Sequence, residues 1–494
     1  VIWFALFDFR QDKKMTEHFK LMVPGATSTD ELLNVYSPFD GYLVATVETA
    51  DEQVVEHALA IAMSAFHDRK NWLSISQRVE ILERTATIMQ EQSEELAFIA
   101  SLEGGKPLTD SKVEILRAID GINLCIETLR LESGNKIPMD LNTASSGRIA
   151  FTQKEPIGVV VAVSAFNHPL NLIVHQVAPA IAVGCPVIVK PAEDTPISCF
   201  RFVSILREAG LPDEWCQAMT VSNLDVATQL VTDERVGLFS FIGSAKVGWM
   251  LRSRLAPGTR CTLEHGGAAP VIVTEDADID DALPLLAKGG FYHAGQVCVS
   301  VQRVFVHKSI AMELVKKLAS VANKMVIGNP TLTETEVGPL IRSSEIKRIE
   351  QWVNEAIEEG AELICGGEIK SESCYACTVL FNPSDHSKVS QQEIFGPVIC
   401  VYEYSEIDDA ISRANSLAFA FQASLFSQDI DKAMYISSQL DATAVMINDH
   451  TAFRTDWMPF AGLRQSGLGV GGIPYTMHDM QFEKMTVIRP KNIN

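Results

Sequence analysis

The amino-acid sequence predicts an α/β protein with a helical layer and two successive α/β series, and three observations predict it. Apolar residues recur at three- and four-residue steps from 51 to 130. From 157 to 242, short apolar runs without alternation are each followed by a turn and an amphipathic segment. A second series of the same kind runs from 270 to 447.

The helical layer comes first, its buried stripes marked by Val54, Val55, Ala58, Leu59 and Ala62, then Ile81, Leu82, Ala86 and Met89, then Leu96, Ala97 and Ile99. Over 147–154, Arg148, Ala150 and Thr152 alternate with Ile149 and Phe151, which predicts a half-buried strand, an arm suited to subunit contact. The runs 157–163, 187–189, 215–221 and 238–242 read as parallel strands buried on both faces, and the helices between them, 172–183, 198–209 and 224–231, complete βαβ units. A nucleotide-binding layer follows from that pattern. The second series predicts strands at 270–273, 302–306, 363–365, 398–403, 423–426 and 444–447, with helices such as 346–359 and 430–439. The strand-like 481–489 is a candidate to pair with the arm.

With 41 basic and 62 acidic residues among 494, the chain carries a net charge of −21, which argues against a nucleic-acid partner. No apolar run reaches the ~18 residues of a membrane span, so no membrane is expected. The opening Val1 to Phe9 lacks the leading positive charges and cleavage pattern of a secretion signal. Met15 is a candidate start, leaving residues 1–14 as an N-terminal extension, either an added segment or an ordered arm. Ten cysteines are too dilute for a disulfide scaffold and predict a reducing, cytoplasmic setting. Cys374 and Cys377 form a lone C-x-x-C without a second pair, which reads as structural, so no metal site is expected.

Several short segments carry chemistry. Cys298, in Gly295-Gln296-Val297-Cys298, is either a nucleophile or a core thiol. Glu264, beside His265, Gly266 and Gly267, is either a desolvated general base or an ion-pair partner. Asn167 follows a strand and precedes Pro169, offering a donor to an oxyanion or simply a turn. Lys190-Pro191-Ala192-Glu193 follows a second strand, within reach of ribose hydroxyls or in a solvated loop. Phe241 to Gly248 is strand, glycine turn and helix start, a geometry that favours pyrophosphate although G-x-G-x-x-G is absent.

These pieces, in this order, resemble the NAD(P)-dependent aldehyde dehydrogenase superfamily from about Asn34 to Val487. Phe166 to Leu170 resembles the family's Asn-containing turn, Lys190 to Glu193 its Lys-Pro-Ser/Ala-Glu, and Phe241 to Gly248 its Phe-x-Gly-Ser-x-x-x-Gly. Leu263 to Gly267 resembles Leu-Glu-Leu-Gly-Gly, Gly295 to Cys298 Gly-Gln-x-Cys, Glu393 to Pro397 Glu-Ile-Phe-Gly-Pro, and Pro459 to Gly467 Pro-Phe-Gly-Gly-x-Lys-x-Ser-Gly. The resemblance implies an aldehyde-dehydrogenase-like fold: a Rossmann-type cofactor domain (15–135 and 156–265), an α/β catalytic domain (266–470) and a small β oligomerisation arm (136–155 and 471–494). It implies a homodimer or homotetramer.

It also implies roles. Cys298 attacks the aldehyde, Asn167 and the Cys298 N–H hold the oxyanion, and Glu264 activates water for hydrolytic deacylation, giving a carboxylic acid. Lys190 and Glu193 face the adenosine ribose, Gly243, Ser244 and Gly248 the pyrophosphate, Glu393 and Phe395 the nicotinamide ribose. Glu193 favours NAD, with NADP possible, because a carboxylate repels a 2′-phosphate.

Phe166, His168, His265, Ala461 and Arg464 depart from the commoner family residues without removing a catalytic group. His168 introduces a polar or, at mildly acid pH, cationic channel wall; a histidine satisfied by backbone is the alternative. With Lys112 and Arg454 it suggests a small polar aldehyde carrying an anion. Several anion-binding members have Arg where this chain has Val297, so a neutral hydroxyaldehyde such as lactaldehyde competes. Two other classes stay open: a cysteine hydrolase using Cys298 with His293 as base, and a non-catalytic descendant of the fold.

Overall fold

The computed structural model describes residues 16–27 and 31–490; the proposed extension 1–14 and Met15 lie outside the described residues. Helices Glu52–His67, Ile75–Glu91, Ser93–Gly104 and Leu108–Leu131 form the expected helical layer. Asp51 caps the first through the Gln53 and Val54 N–H groups, and Ser74 opens the second with a reciprocal capping box to Gln77.

A six-stranded sheet runs in the order Gly467–Leu468, Arg260–Glu264, Val236–Ile242, Val159–Val163, Val187–Lys190, Cys216–Ala218, all parallel except the first. Its two faces bury separate cores. The helices 75–131, 171–183 and 197–208 cover one, and Glu52–His67 with Leu224–Thr232 the other. The second sheet has seven strands, with Ala269–Val273 and Val301–His307 central and an antiparallel edge, Glu362–Cys365 on Thr378–Phe381. The six-stranded sheet therefore aims the C-termini of Val159–Val163, Val236–Ile242 and Arg260–Glu264 at the space between the sheets, where open α/β sheets place ligands, while the seven-stranded sheet meets that space at the loops entering Val301–His307 and Val398–Tyr404.

The pattern reading missed Arg260–Glu264 and Thr378–Phe381 in the two large sheets, and also Glu17–Phe19, Leu32–Tyr36 and Leu43–Ala50, which form a small sheet before the helices. Leu43–Ala50 is buried on both faces over residues 47–50 and so shows no clean alternation. The run 215–221, expected as one strand, splits: Cys216–Ala218 stays in the six-stranded sheet while Thr220–Val221 crosses to Leu43–Ala50. Gln481–Ile488 pairs antiparallel with the whole of Ile149–Pro156, as the alternating patterns anticipate. Helix Ile473–Asp479, counted with the arm from sequence, packs elsewhere. Ile473, Met477 and Met480 bury in the core beneath Leu108–Leu131 and Asn171–Val183, because its apolar stripe needs a partner that a three-stranded arm does not offer.

Candidate active site

A cleft of about 1400 Å³ opens between the sheets, lined by Asn167, Glu264 and Cys298 together with Glu193, Gly243, Ser244, Glu393, Phe395, His168 and Arg454.

Cys298 ends a loop fixed by backbone strain and by one amide. His293, Ala294 and Gly295 are all left-handed, at φ 48°, 54° and 70°, a run that persists only where surrounding contacts over-determine it. A Cβ on Gly295 would overlap the Gly396 carbonyl, so the close approach requires glycine. The Gln296 side chain donates to the His293 and Pro339 carbonyls at 3.2 Å and accepts from Ile341 N–H at 2.9 Å. The buried Asn167 amide donates to the Gln296 carbonyl at 3.0 Å, two residues from the thiol. Burial pushes the Cys298 thiol up to about 12, opposed by the Arg454 charge.

Asn167 is itself held from below. Glu114 accepts from the Leu170 and Asn171 N–H groups at 2.9 Å, capping the helix Asn171–Val183, and pairs with the fully buried Lys106. An acidic residue at a helix start satisfies otherwise orphaned donors and complements the dipole. Sequence reading missed both residues, since their partners lie far along the chain.

Glu264 closes the strand Arg260–Glu264, and Gly471 lies so close that a Cβ there would overlap its carboxylate. Desolvation raises its pKa while Arg454 lowers it. Arg454 is thus the electrostatic neighbour of both the Cys298 thiol and the Glu264 carboxylate.

At the cofactor end, the turn Gly243-Ser244, anchored by the Gly243 N–H donating to the Glu264 carbonyl at 3.1 Å, opens the helix Ala245–Arg252, a helix start suited to a pyrophosphate. His265, where the family commonly has Leu, contacts the Gly243 carbonyl through Nδ1 at 2.9 Å and packs against Phe241 and Trp249. Burial lowers its pKa, so the ring is neutral and braces the turn. Glu393 is buried against Gly266, where a Cβ would overlap its carboxylate. Its Oε1 has no partner, and burial pushes the carboxyl up to about 8. An orphaned buried acceptor beside a glycine cradle fits a ribose hydroxyl. Neither Lys190 nor Gly248 itself lines the cleft. Lys190 pairs with Glu193 behind its rim, and Gly248 packs directly on the His265 ring.

At the substrate end Lys112 is the one expected residue that the structure turns away, pairing with Glu94 at 2.7 Å on the outer face of its helix. The cleft-facing stripe of that helix is Asp110, Val113 and Arg117, at i, i+3 and i+7, and Lys112 is out of phase with it. Arg117, unforeseen from sequence, grips Asp456 through two nitrogens at 3.0 and 2.7 Å. His168 lines the cleft with its Nε2 3.5 Å from the Tyr292 hydroxyl, and burial holds it well below the usual histidine range. It is a neutral wall, not the cation considered from sequence. His293 is fully buried with both ring nitrogens unpartnered and makes no hydrogen bond to Cys298 among the described residues, so the hydrolase reading has no base.

The aldehyde dehydrogenase family model matches residues 25–486. The chain is 37% identical over 461 residues to a 3-sulfolactaldehyde dehydrogenase of Priestia aryabhattai, covering 93% of this chain and 96% of that one. It superimposes on aldehyde dehydrogenase 21 of Physcomitrella patens, solved with the reaction product succinate, with TM-score 0.92 and 32% identity, covering 97% of this chain and 100% of that one. Against glyceraldehyde-3-phosphate dehydrogenase of Methanocaldococcus jannaschii complexed with NADP, the TM-score is 0.89 at 33% identity, covering 94% and 100%. With the matched family model spanning both sheets and the arm, the chain belongs to the aldehyde dehydrogenase family, enzymes that oxidise aldehydes with NAD or NADP.

Proposed function

We propose that this enzyme oxidises a small anionic aldehyde to its carboxylic acid, using NAD in preference to NADP. The observation that carries the reading is the convergence of Asn167, Cys298 and Glu264 in one cleft with Arg454 beside the last two.

Cys298 Sγ, its proton released to solvent, adds as the thiolate to the aldehyde carbon. The Asn167 amide and Cys298 N–H stabilise the resulting oxyanion. Bound nicotinamide supplies the hydride acceptor through which the hemithioacetal becomes a thioester. Glu264 then takes a proton from water, whose oxygen attacks the thioester carbon and expels the Cys298 thiolate. Glu393 and Phe395 hold the nicotinamide ribose, the Gly243-Ser244 turn the pyrophosphate and Glu193 the adenosine ribose, with Lys190 and Gly248 supporting from behind. Glu193, although paired with Lys190, puts a half-exposed carboxylate at that end and disfavours a 2′-phosphate, while Asp194 is held by Arg342. Arg454 meets the substrate's anion, since guanidinium suits carboxylate and sulfonate oxygens.

The division into 15–135 with 156–265 and 266–470 belongs to this reading, supported by the separate cores, as does the arm of 136–155 and 471–494 apart from the helix Ile473–Asp479, which packs with the first domain. The exposed Phe482, Met485, Val487 and Ile488 of the arm support a homodimer or homotetramer. Ten free cysteines support a cytoplasmic setting.

The test is formation of reduced nicotinamide from NAD or NADP across neutral, hydroxylated, carboxylated and sulfonated short aldehydes, with Cys298→Ala as the inactive control. Equal or better turnover of the neutral compounds would remove the anion assignment.

A further inference from the structure

Arg454 does not stand alone. Its guanidinium lies 3.6 Å over the Phe460 ring, its Nε is buried without a partner, and its Nη2 is 3.4 Å from His175 Nδ1. His175 Nε2 is 2.8 Å from Asp456 Oδ1, the oxygen that also accepts from Arg117 Nη2 at 2.7 Å. The directions of these bonds are determined. Asp456, held as a carboxylate by Arg117 and His175, can only accept, so His175 Nε2 carries the proton. Burial keeps the ring neutral, leaving Nδ1 a lone pair into which Arg454 donates. The chain is therefore Arg454 to His175 to Asp456, with Arg117 closing the far side.

The charges at this end also count simply. Arg117 is cancelled by Asp456, and Lys288 by Asp110 at 2.6 Å. No described carboxylate forms an ion pair with Arg454. One positive charge faces the substrate, and a dianion brought against it would leave a negative charge uncompensated beside Glu264.

Resting on the assignment of Arg454 as the anion contact, we propose that His175 and Asp456 are positioning residues that aim its guanidinium. The site they build takes aldehydes with a single negative charge, carboxylate or sulfonate, in preference to a phosphate dianion. His175 is the pivotal element, because only a group that donates on one side and accepts on the other can link a carboxylate to a guanidinium.

The experiment measures kcat/KM for aldehydes of equal chain length ending in carboxylate, sulfonate, phosphate or carboxamide, at a pH where the phosphate is dianionic. The intact enzyme should favour both monoanions over carboxamide by roughly tenfold to a hundredfold, with phosphate below both. His175→Leu should cut the carboxylate-to-carboxamide ratio about tenfold, while His175→Gln, whose amide both donates and accepts, should keep it within about threefold. A merely structural role would lower both substrates together and leave the ratio unmoved. Asp456→Asn frees the Arg117 charge and should move preference toward phosphate by about tenfold, a readout that stands even where the Leu variant does not fold. An unchanged ratio in His175→Leu, equal loss in the Gln variant, or unchanged phosphate discrimination in Asp456→Asn overturns the proposal. Arg454→Gln separates it from its premise. If that variant keeps the carboxylate preference, the anion assignment itself falls. If it loses the preference while His175→Leu keeps it, only the positioning role falls.

Discussion

The two ends of the cleft are built by different means. The cofactor end is made largely of backbone: a glycine turn at a helix start, a glycine that leaves room for Glu393, and a neutral His265 bracing the turn's carbonyl. The substrate end is made of side chains drawn from distant segments, with 339 residues between Arg117 and Asp456 and 281 between His175 and Asp456. Backbone cradles suit a ligand common to a whole family, whereas a side-chain network can be rebuilt one residue at a time for each substrate. Cys298, Glu264 and Asn167 stand where the two meet.

That contrast is open to four tests, in descending size. Glu264→Gln should lower kcat by ~10²–10⁴-fold while the first turnover still releases a burst of reduced cofactor, because the exchange lost is deacylation. Stopped-flow absorbance checks it, and loss of the burst would instead place Glu264 in the first half of the reaction. Gly266→Ala forces a Cβ into the Glu393 carboxylate and should weaken NAD binding by about tenfold or more. Unchanged affinity in a direct titration would contradict the backbone cradle.

Glu193→Gln should raise the NADP-to-NAD ratio of kcat/KM by only about three- to fivefold, since its carboxylate is half exposed and already paired with Lys190. A large switch would mean the adenosine end depends on one side chain after all. The smallest effect is on pH. A base acts ionised, so kcat should fall as pH drops through the raised pKa of Glu264. The Arg454 charge favours the ionised carboxylate, so Arg454→Gln should move that falling limb to higher pH, by roughly half to one unit. A limb that stays in place would show Arg454 and Glu264 to be electrostatically independent.

The sequence by itself determined the α/β class and most strands of both series, and it pointed to the arm pairing and to Cys298, Glu264 and Asn167, because each is written in a local period or a short contiguous motif. Apolar periodicity fixes element type, and a strand, turn and helix in succession bring their own free N–H groups. Leu43–Ala50, buried on both faces over its last residues, carries no such period and was missed. Only the tertiary structure decided which helix face meets the cleft, turning Arg117 inward and Lys112 outward. It also decided that His168 is neutral, since a histidine's charge depends on the desolvation and neighbouring cations that packing supplies. Lys106, Glu114, His175 and Asp456 stayed silent for the same reason. A buried polar residue is defined by its partners, and theirs are brought together only when the chain has folded.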